Sequence, residues 1–350
     1  MKRLLSLILV GSAIACSESF PPASAVTDLR AVAARVDVEG EPGRANPSPG
    51  EGVEVSILVI DQGAPPSGIP GVPALTPPLL QWTFVACIPQ PTLIGAPICR
   101  SPIEPCEGCI GTPPEDPLAL PVLRFTVPRQ EELQEADADS VVVQGAICAD
   151  GPPAEDSILR FILGETDDLS PCEDPSHEGR FVTIVVPIES DPDDPNLNPQ
   201  ISSVTLNGDA WPPPYDQAVP RAAPRTGCVA DLEGLTDAER TAHPTAGSSA
   251  STVNLLVTPD SLQPYTEGDE TRTEEIQVSW LADGGGFDST FSFITDPARS
   301  VLTQWKPSSD APEDGVLVRF TFVIRDGRGG TDELERGLCI LPPTSLQSPP

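Results

Sequence analysis

Val316-Leu-Val-Arg-Phe-Thr-Phe-Val-Ile-Arg325, followed by Asp326-Gly-Arg-Gly-Gly330, decides the fold. Val316, Val318, Phe320, Phe322 and Ile324 occupy every second position, with Arg319, Thr321 and Arg325 between them. A period of two marks a strand with one face in a core and the other toward polar surroundings. The glycines after Asp326 supply positive φ for a tight reversal into a last strand at 334–341. The same alternation recurs upstream. Val53, Val55, Ile57 and Val59 share one face, as do Leu80, Trp82, Phe84 and Ala86, and Leu123, Phe125 and Val127. Residues 140–148 and 179–188 are β-branched runs, and further strands are expected at 201–206, 252–258, 274–281, 289–295 and 300–305. No long stretch keeps a helical period; Glu131–Asp139 reads as a short helix or an acidic turn.

The strands fall into two series. Each carries a tryptophan-bearing strand near its middle, Leu80-Gln-Trp-Thr-Phe84 and Ile276-Gln-Val-Ser-Trp280, and each closes on two long strands. These features predict an all-β chain of two tandem immunoglobulin-like β-sandwich domains with long Pro-rich loops, at 27–190 and 200–342. Between them, 191–199 is acidic and proline-rich and is expected to be a semi-rigid linker. Three insertions at 61–78, 88–118 and 149–178 decorate the first domain and read as loops. Residues 343–350 form a tail.

Thr303-Gln-Trp-Lys-Pro307, Val316–Ile324 and Asp326-Gly-Arg-Gly-Gly-Thr331 together resemble the last strands of Ig-like or PKD-like repeats. Such repeats occur in lipoproteins of myxobacteria-like Gram-negative bacteria. Asn198-Pro199 opening a domain and the Val-x-Val-x-Gly-x-x-Cys strand at 141–148 are similar to that group as well. The resemblance implies a fold and a location in the cell envelope, and no activity.

The N-terminus points to the same place. Met1-Lys2-Arg3 is a basic start, and Leu4–Ile14 is an apolar segment of signal-peptide length, too short to span a bilayer. It ends in Ala13-Ile14-Ala15-Cys16. That is either a small-x-small cleavage site or a lipobox whose cysteine is acylated. The nine cysteines are 16, 87, 99, 106, 109, 148, 172, 228 and 339. An odd count in an exported chain leaves one thiol over. Lipidation of Cys16 accounts for it, giving a signal peptide at 1–15, a tether at 16–26 and attachment to a membrane through the lipid. Ser17 after the cysteine resembles an outer-membrane sorting signal.

The other eight cysteines are disulfide candidates in an oxidising compartment. Cys228 and Cys339 pair naturally as the two of the second domain. In the first, Cys87–Cys148 fits neighbouring strands, with Cys172 as a competitor for Cys148. Strand parity turns Cys87, Cys148 and Cys339 away from the core between the sheets. Cys99, Cys106 and Cys109 sit in a proline-rich loop, to be stapled by disulfides or, with Cys87, to form a zinc knot.

The 350 residues include 44 prolines and 28 glycines, and 39% are hydrophobic, which is enough for a core. With 52 acidic against 20 basic residues the net charge is −32, which excludes nucleic acid as a partner. No cofactor is implied. Asp191, Asp193 and Asp194 are a candidate calcium set, their alternative being solvated charge that keeps the linker extended. His177 and His243 lie near prolines with no nucleophile motif around them. The expected function is therefore non-catalytic: a structural, adhesive or ligand-presenting lipoprotein, most readily of the outer membrane, with a protein or glycan partner. A carbohydrate- or peptide-binding module is the second reading, with Trp211 in Trp-Pro-Pro-Pro-Tyr215 as its contact residue, and a cryptic hydrolase the third.

Overall fold

The computed structural model describes residues 22–63, 77–90, 97–111, 118–165, 167–189 and 194–343. The first half contains β1 (Arg30–Val38), β2 (Gly52–Ile60), β3 (Leu80–Gln90), β4 (Ile98–Pro102), the two-residue β5 (Cys106–Glu107) and β6 (Ile110–Gly111), β7 (Val122–Thr126), β8 (Ser140–Ala149) and β9 (Gly179–Pro187). Two antiparallel sheets result, ordered β1-β2-β7-β5 and β4-β3-β8-β9, with β6 on β3. The alternating residues read from the sequence are the core: Val53, Val55, Ile57, Leu80, Trp82, Phe84, Leu123 and Phe125 are all buried between the sheets. Gly111 lies flat on the Trp82 indole, where a Cβ would come within 2.2 Å of the ring.

The second half contains β10 (Ile201–Leu206), β11 (Asp209–Ala210), β12 (Ser251–Val257), β13 (Pro264–Glu267), β14 (Glu270–Thr273), β15 (Ile276–Ala282), β16 (Gly286–Phe287), β17 (Phe291–Ile294), β18 (Ser300–Lys306), β19 (Val316–Arg325) and β20 (Thr331–Ile340). Its sheets are ordered β11-β10-β12-β18-β16 and β17-β15-β19-β20, with β13-β14 a separate hairpin. The strand order of the first half is repeated: β1-β2-β7 corresponds to β10-β12-β18, and β4-β3-β8-β9 to β17-β15-β19-β20. The chain is thus an all-β molecule of sandwich class, as its alternation predicts. The turn after β19 is as read. Asp326 Oδ1 accepts the backbone N–H groups of Arg328, Gly329 and Gly330 at 2.7, 3.0 and 2.9 Å. Gly327 and Gly329 have φ of 80° and 122°.

α1 (Gln130–Ala136) forms where the sequence offers a short helix or an acidic turn. α2 (Glu155–Ile162) breaks the expectation that the 149–178 insertion is a plain loop. Ile158 and Ile162, one turn apart, put one face of α2 on Cys87, Val142 and Ala146. A third helix, α3 (Asp237–Thr241), starts at Thr236, whose hydroxyl accepts the Glu239 N–H while the Glu239 carboxylate accepts from Thr236 N.

The halves lie side by side rather than end to end on a spacer. Leu58 and Ile60 of β2 meet Leu281 and Val323 of β15 and β19, with Val26 in the same buried cluster. Polar contacts frame it: Arg35 pairs with Asp332 at 3.1 Å, and an Arg325 guanidinium N–H donates to the Val32 carbonyl. The described end of the expected linker, 194–199, is packed onto the body. Asn196, Asn198 and Pro199 are buried. Asn196 Nδ2 donates to Asp326 at 3.0 Å, Asn198 Nδ2 to the Val36 carbonyl at 2.7 Å, and Thr331 N to Asn198 Oδ1 at 2.9 Å. The physical reason is that amide side chains can satisfy backbone groups of both halves at once, which solvated aspartates do not. The end of the expected tether is likewise docked. Val26 N donates to the Ala282 carbonyl and Ala282 N to Ser24 O, at 2.8 and 3.0 Å.

Candidate functional site: a cleft between the two sandwiches

A cavity of about 320 Å³ opens where β2, β15, β19, β20 and the segment after Trp211 converge. Its walls are partly apolar, from Val26, Ile60, Leu120 and Val219. Charged side chains complete them, and the cations are all arginine, as are eighteen of the twenty basic residues of the chain. Arg319 is placed by the alternation of β19, whose polar face the packing of the halves turns inward.

Asp283, just past β15, has a side chain only 2% exposed. Its carboxylate accepts from Arg319 N and Nε at 2.8 and 3.0 Å, and its carbonyl from Arg225 Nη2 at 2.7 Å. Arg319 Nη2 reaches across to the Asp61 carbonyl of the first half at 3.2 Å. Asp61 in turn accepts Arg221 Nε at 2.8 Å and Gly63 N at 2.7 Å. Arg336 donates through Nη1 to the Glu335 carbonyl at 2.7 Å. Two buried guanidinium N–H positions, Arg221 Nη1 and Arg336 Nε, have no acceptor among the described residues. Burial pushes the Arg336 guanidinium down from its ordinary pKa, with Asp216 opposing. Burial pushes the Glu335 carboxyl up, with Arg319 opposing. The arrangement is suited to holding an anion beside an apolar surface, because guanidinium groups stay charged and donate in a fixed plane.

The sequence reading did not assemble this site. Alternation puts Arg319 on the polar face of β19 and carries no sign of what lies against that face. The available signal was the pair Arg319 and Arg325 on a strand whose other residues are all apolar or Thr.

The eight disulfide candidates all pair. Cys228–Cys339 forms as expected. Cys148 takes its competitor, Cys172. Cys87–Cys148 is corrected, since Cys87 pairs with Cys99 on the adjacent strand β4. Cys106 pairs with Cys109, so the four thiols of the zinc alternative are consumed in disulfides. The parity prediction is met in an unexpected way. Cys87, Cys148 and Cys339 do face away from the core between the sheets, yet all are fully buried. The insertions cover them: α2 and the Cys172 loop in the first half, and Tyr215, Val219 and Leu232 in the second.

Trp211 is 5% exposed, packs edge-on to Phe320 and Phe322, and donates Nε1 to the Gly337 carbonyl at 2.7 Å. It is a core residue, not a platform for a sugar ring. His243 is buried; its Nδ1 accepts Cys339 N at 3.2 Å, which leaves Nε2 to donate to the Pro213 carbonyl at 2.9 Å. Burial holds its pKa below the ordinary value, so it is a neutral structural imidazole. Asp194 is exposed, while Asp191, Asp193 and Cys16 lie outside the described residues. Among the described residues no cluster of three or more His, Cys, Asp or Glu side chains is arranged to hold a metal ion. No helix of the described residues is long and apolar enough to cross a membrane.

No protein-family model matches the chain, and no curated protein matches its sequence.

Proposed function

We propose that the protein is a lipid-anchored lipoprotein of the cell envelope, most readily the outer membrane. It holds two immunoglobulin-like sandwiches as one ligand-presenting body and performs no catalysis. The observation that carries this reading is the cysteine pairing. All eight cysteines after Cys16 are joined to one another in four disulfides. That leaves Cys16, at the end of an apolar leader, as the residue with a different chemistry. The disulfides also suit an oxidising compartment. The repeated strand order supports the immunoglobulin-like assignment, since each half places its first, second and late strands in one sheet and its third and last two in the other.

The docked start of the body bears on how it is presented. At ~3.3–3.6 Å per residue, the stretch from Ser17 to Ala23 spans at most about 25 Å. An acylated Cys16 therefore keeps the sandwiches close to the headgroups, with the second one, at Ala282, tied directly to the tether. The test is intact-mass analysis and detergent partitioning of protein taken from its host membrane. An acylated Cys16, and transfer of the Cys16→Ser variant to the aqueous phase, are expected. Cleavage before Cys16 without lipid, or unchanged partitioning of the variant, overturns the anchor.

A further inference from the structure

We propose that the phenylalanine pair of β17 docks on the membrane surface beside the lipid anchor, against zwitterionic phospholipid. The inference rests on the anchor proposed above and deepens it. Phe291 and Phe293 are 50% and 55% exposed, and no other aromatic side chain among the described residues is exposed. Ser292, between them, turns inward and accepts Trp280 Nε1 at 2.9 Å, which puts both rings on the outer face of the sheet. Phe291 and Phe293 stand opposite Ser279 and Gln277 of β15. Leu281 continues that row, and there Leu58 and Ile60 of the first sandwich cover it. β17 is the outermost strand of its sheet, and its two rings lie beyond that cover.

The tether says what the uncovered rings meet. Trp280 N donates to Thr290 O at 3.1 Å, and Ala282 N to Ser24 O at 3.0 Å. N–H groups two residues apart on a strand point to the same edge, about 7 Å from each other. The docked end of the tether therefore lies on the edge of β15 that carries β17, next to Phe291. Ala25 N donates back to Pro22 O at 2.8 Å, so the chain turns away from the body here, and Pro22 and Ala23 are exposed. At most about 25 Å of chain joins Ala23 to an acylated Cys16, which brings this strand within reach of the headgroups. Charge selects the kind of lipid. A body of net charge −32 is repelled by anionic headgroups. The stretch from Ser289 to Thr295 carries no charge, with Asp288 before it and Asp296 and Arg299 after it. Apolar rings on an uncharged strand gain by entering the boundary between headgroups and acyl chains.

The test uses the lipidated full chain carrying Phe291→Trp, reconstituted in phosphatidylcholine vesicles with or without brominated acyl chains. The native tryptophans, Trp82, Trp211, Trp280 and Trp305, are buried in the sandwiches, so bromine reports the added indole. Its emission is expected to fall by about half in brominated vesicles, as for a ring about 5–10 Å into the boundary. Phe293→Trp is the second variant and is expected to respond in the same way. Leu256→Trp, on the outer face of the opposite sheet, is expected to keep its emission. Unchanged thermal midpoints verify that the variants fold. Phosphatidylglycerol mixed into the vesicles is expected to weaken the quenching; stronger quenching overturns the preference for zwitterionic lipid. Flotation of the vesicles reads the anchor separately. Protein that floats with no quenching at 291 and 293 overturns the contact and leaves the anchor standing. Equal quenching at 256 and 291 overturns it too, because the body then has no fixed side toward the lipid. A blue shift at 291 that grows with protein concentration in the absence of vesicles assigns the strand to a second copy and overturns the proposal as well. Protein that does not float overturns the anchor and the contact together.

Discussion

The two sandwiches share one strand order and are stabilised differently. The first has a mostly aliphatic core, with Trp82, Phe84 and Phe125 as its aromatic members, and it holds three of the four disulfides. The second has one disulfide and a connected aromatic cluster of Trp211, Trp280, Trp305, Phe287, Phe320 and Phe322, packed mainly edge to face. Both must also cover the outer face of the sheet that carries their long strands. The first does so with a short helix, the second with an irregular segment after Trp211 pinned by Cys228–Cys339 and His243. The lesson is that a sandwich with long insertions needs a second, outer core, and that cross-links and aromatic area are alternative ways of holding it.

The largest effect expected from breaking that comparison comes from the Cys228→Ser/Cys339→Ser pair. Their separation of 111 residues gives an entropic stabilisation of about 5 kcal/mol. The Cys106→Ser/Cys109→Ser pair, three residues apart, is expected to cost only about 2 kcal/mol by the same relation. Denaturant midpoints with an unchanged slope measure both. Equal losses would show that loop closure is not what these cross-links supply.

Next comes the aromatic cluster. Phe320 touches Trp211, Trp305, Phe287 and Phe322, so Phe320→Ala is expected to cost about 4 kcal/mol. Thermal unfolding should place that loss in the second sandwich's tryptophan fluorescence. A loss under 1 kcal/mol would mean that the cluster relaxes around the gap.

Val323→Asp tests the contact between the halves. It puts an unpaired carboxylate among Leu58, Ile60 and Leu281, at a cost of about 3–4 kcal/mol. It should also split unfolding into two transitions, one per sandwich. A single transition with an unchanged midpoint would sink the interface.

A further expected effect concerns pH. Glu274 is buried beside Arg328 and accepts from Gln263 N at 3.1 Å. Its burial, reinforced by the nearby Asp326 charge, pushes the carboxyl up to about 7 from 4.5. The folded state therefore binds the proton more tightly than the unfolded state. The associated stability is present below pH 4.5 and is lost as pH rises through 7, by roughly 3 kcal/mol in full. Glu274→Gln should flatten that part of the stability profile between pH 5 and 8. A profile of unchanged slope would contradict the assignment.

Much of the fold is legible in the chain, because alternation reports directly which face of a strand is buried between two sheets. Val53 to Val59, Leu80 to Ala86 and Val316 to Ile324 were assigned that way, and each set lies in a core. The outer faces were not legible. Alternation marks Cys87, Cys339, Arg319 and Val323 as facing away from the first layer of packing, and it carries no information about what covers them. For that reason α2, the burial of the linker asparagines and the arginine-lined cleft all escaped. The linker asparagines and the cleft depend on contacts between residues more than fifty positions apart, such as Asn196 with Asp326 and Arg221 with Asp61. Composition pointed the other way, since an acidic, proline-rich stretch such as 189–199 reads as solvated whatever its neighbours provide.

The central claim is that the two sandwiches are packed flank to flank as one body, with the cleft formed between them. Small-angle X-ray scattering of the Cys16→Ser chain tests it most directly. A single-peaked distance distribution with a radius of gyration near about 20 Å is the prediction for one compact body of this length. A two-peaked distribution with a markedly larger radius would contradict it, showing two sandwiches strung on a linker.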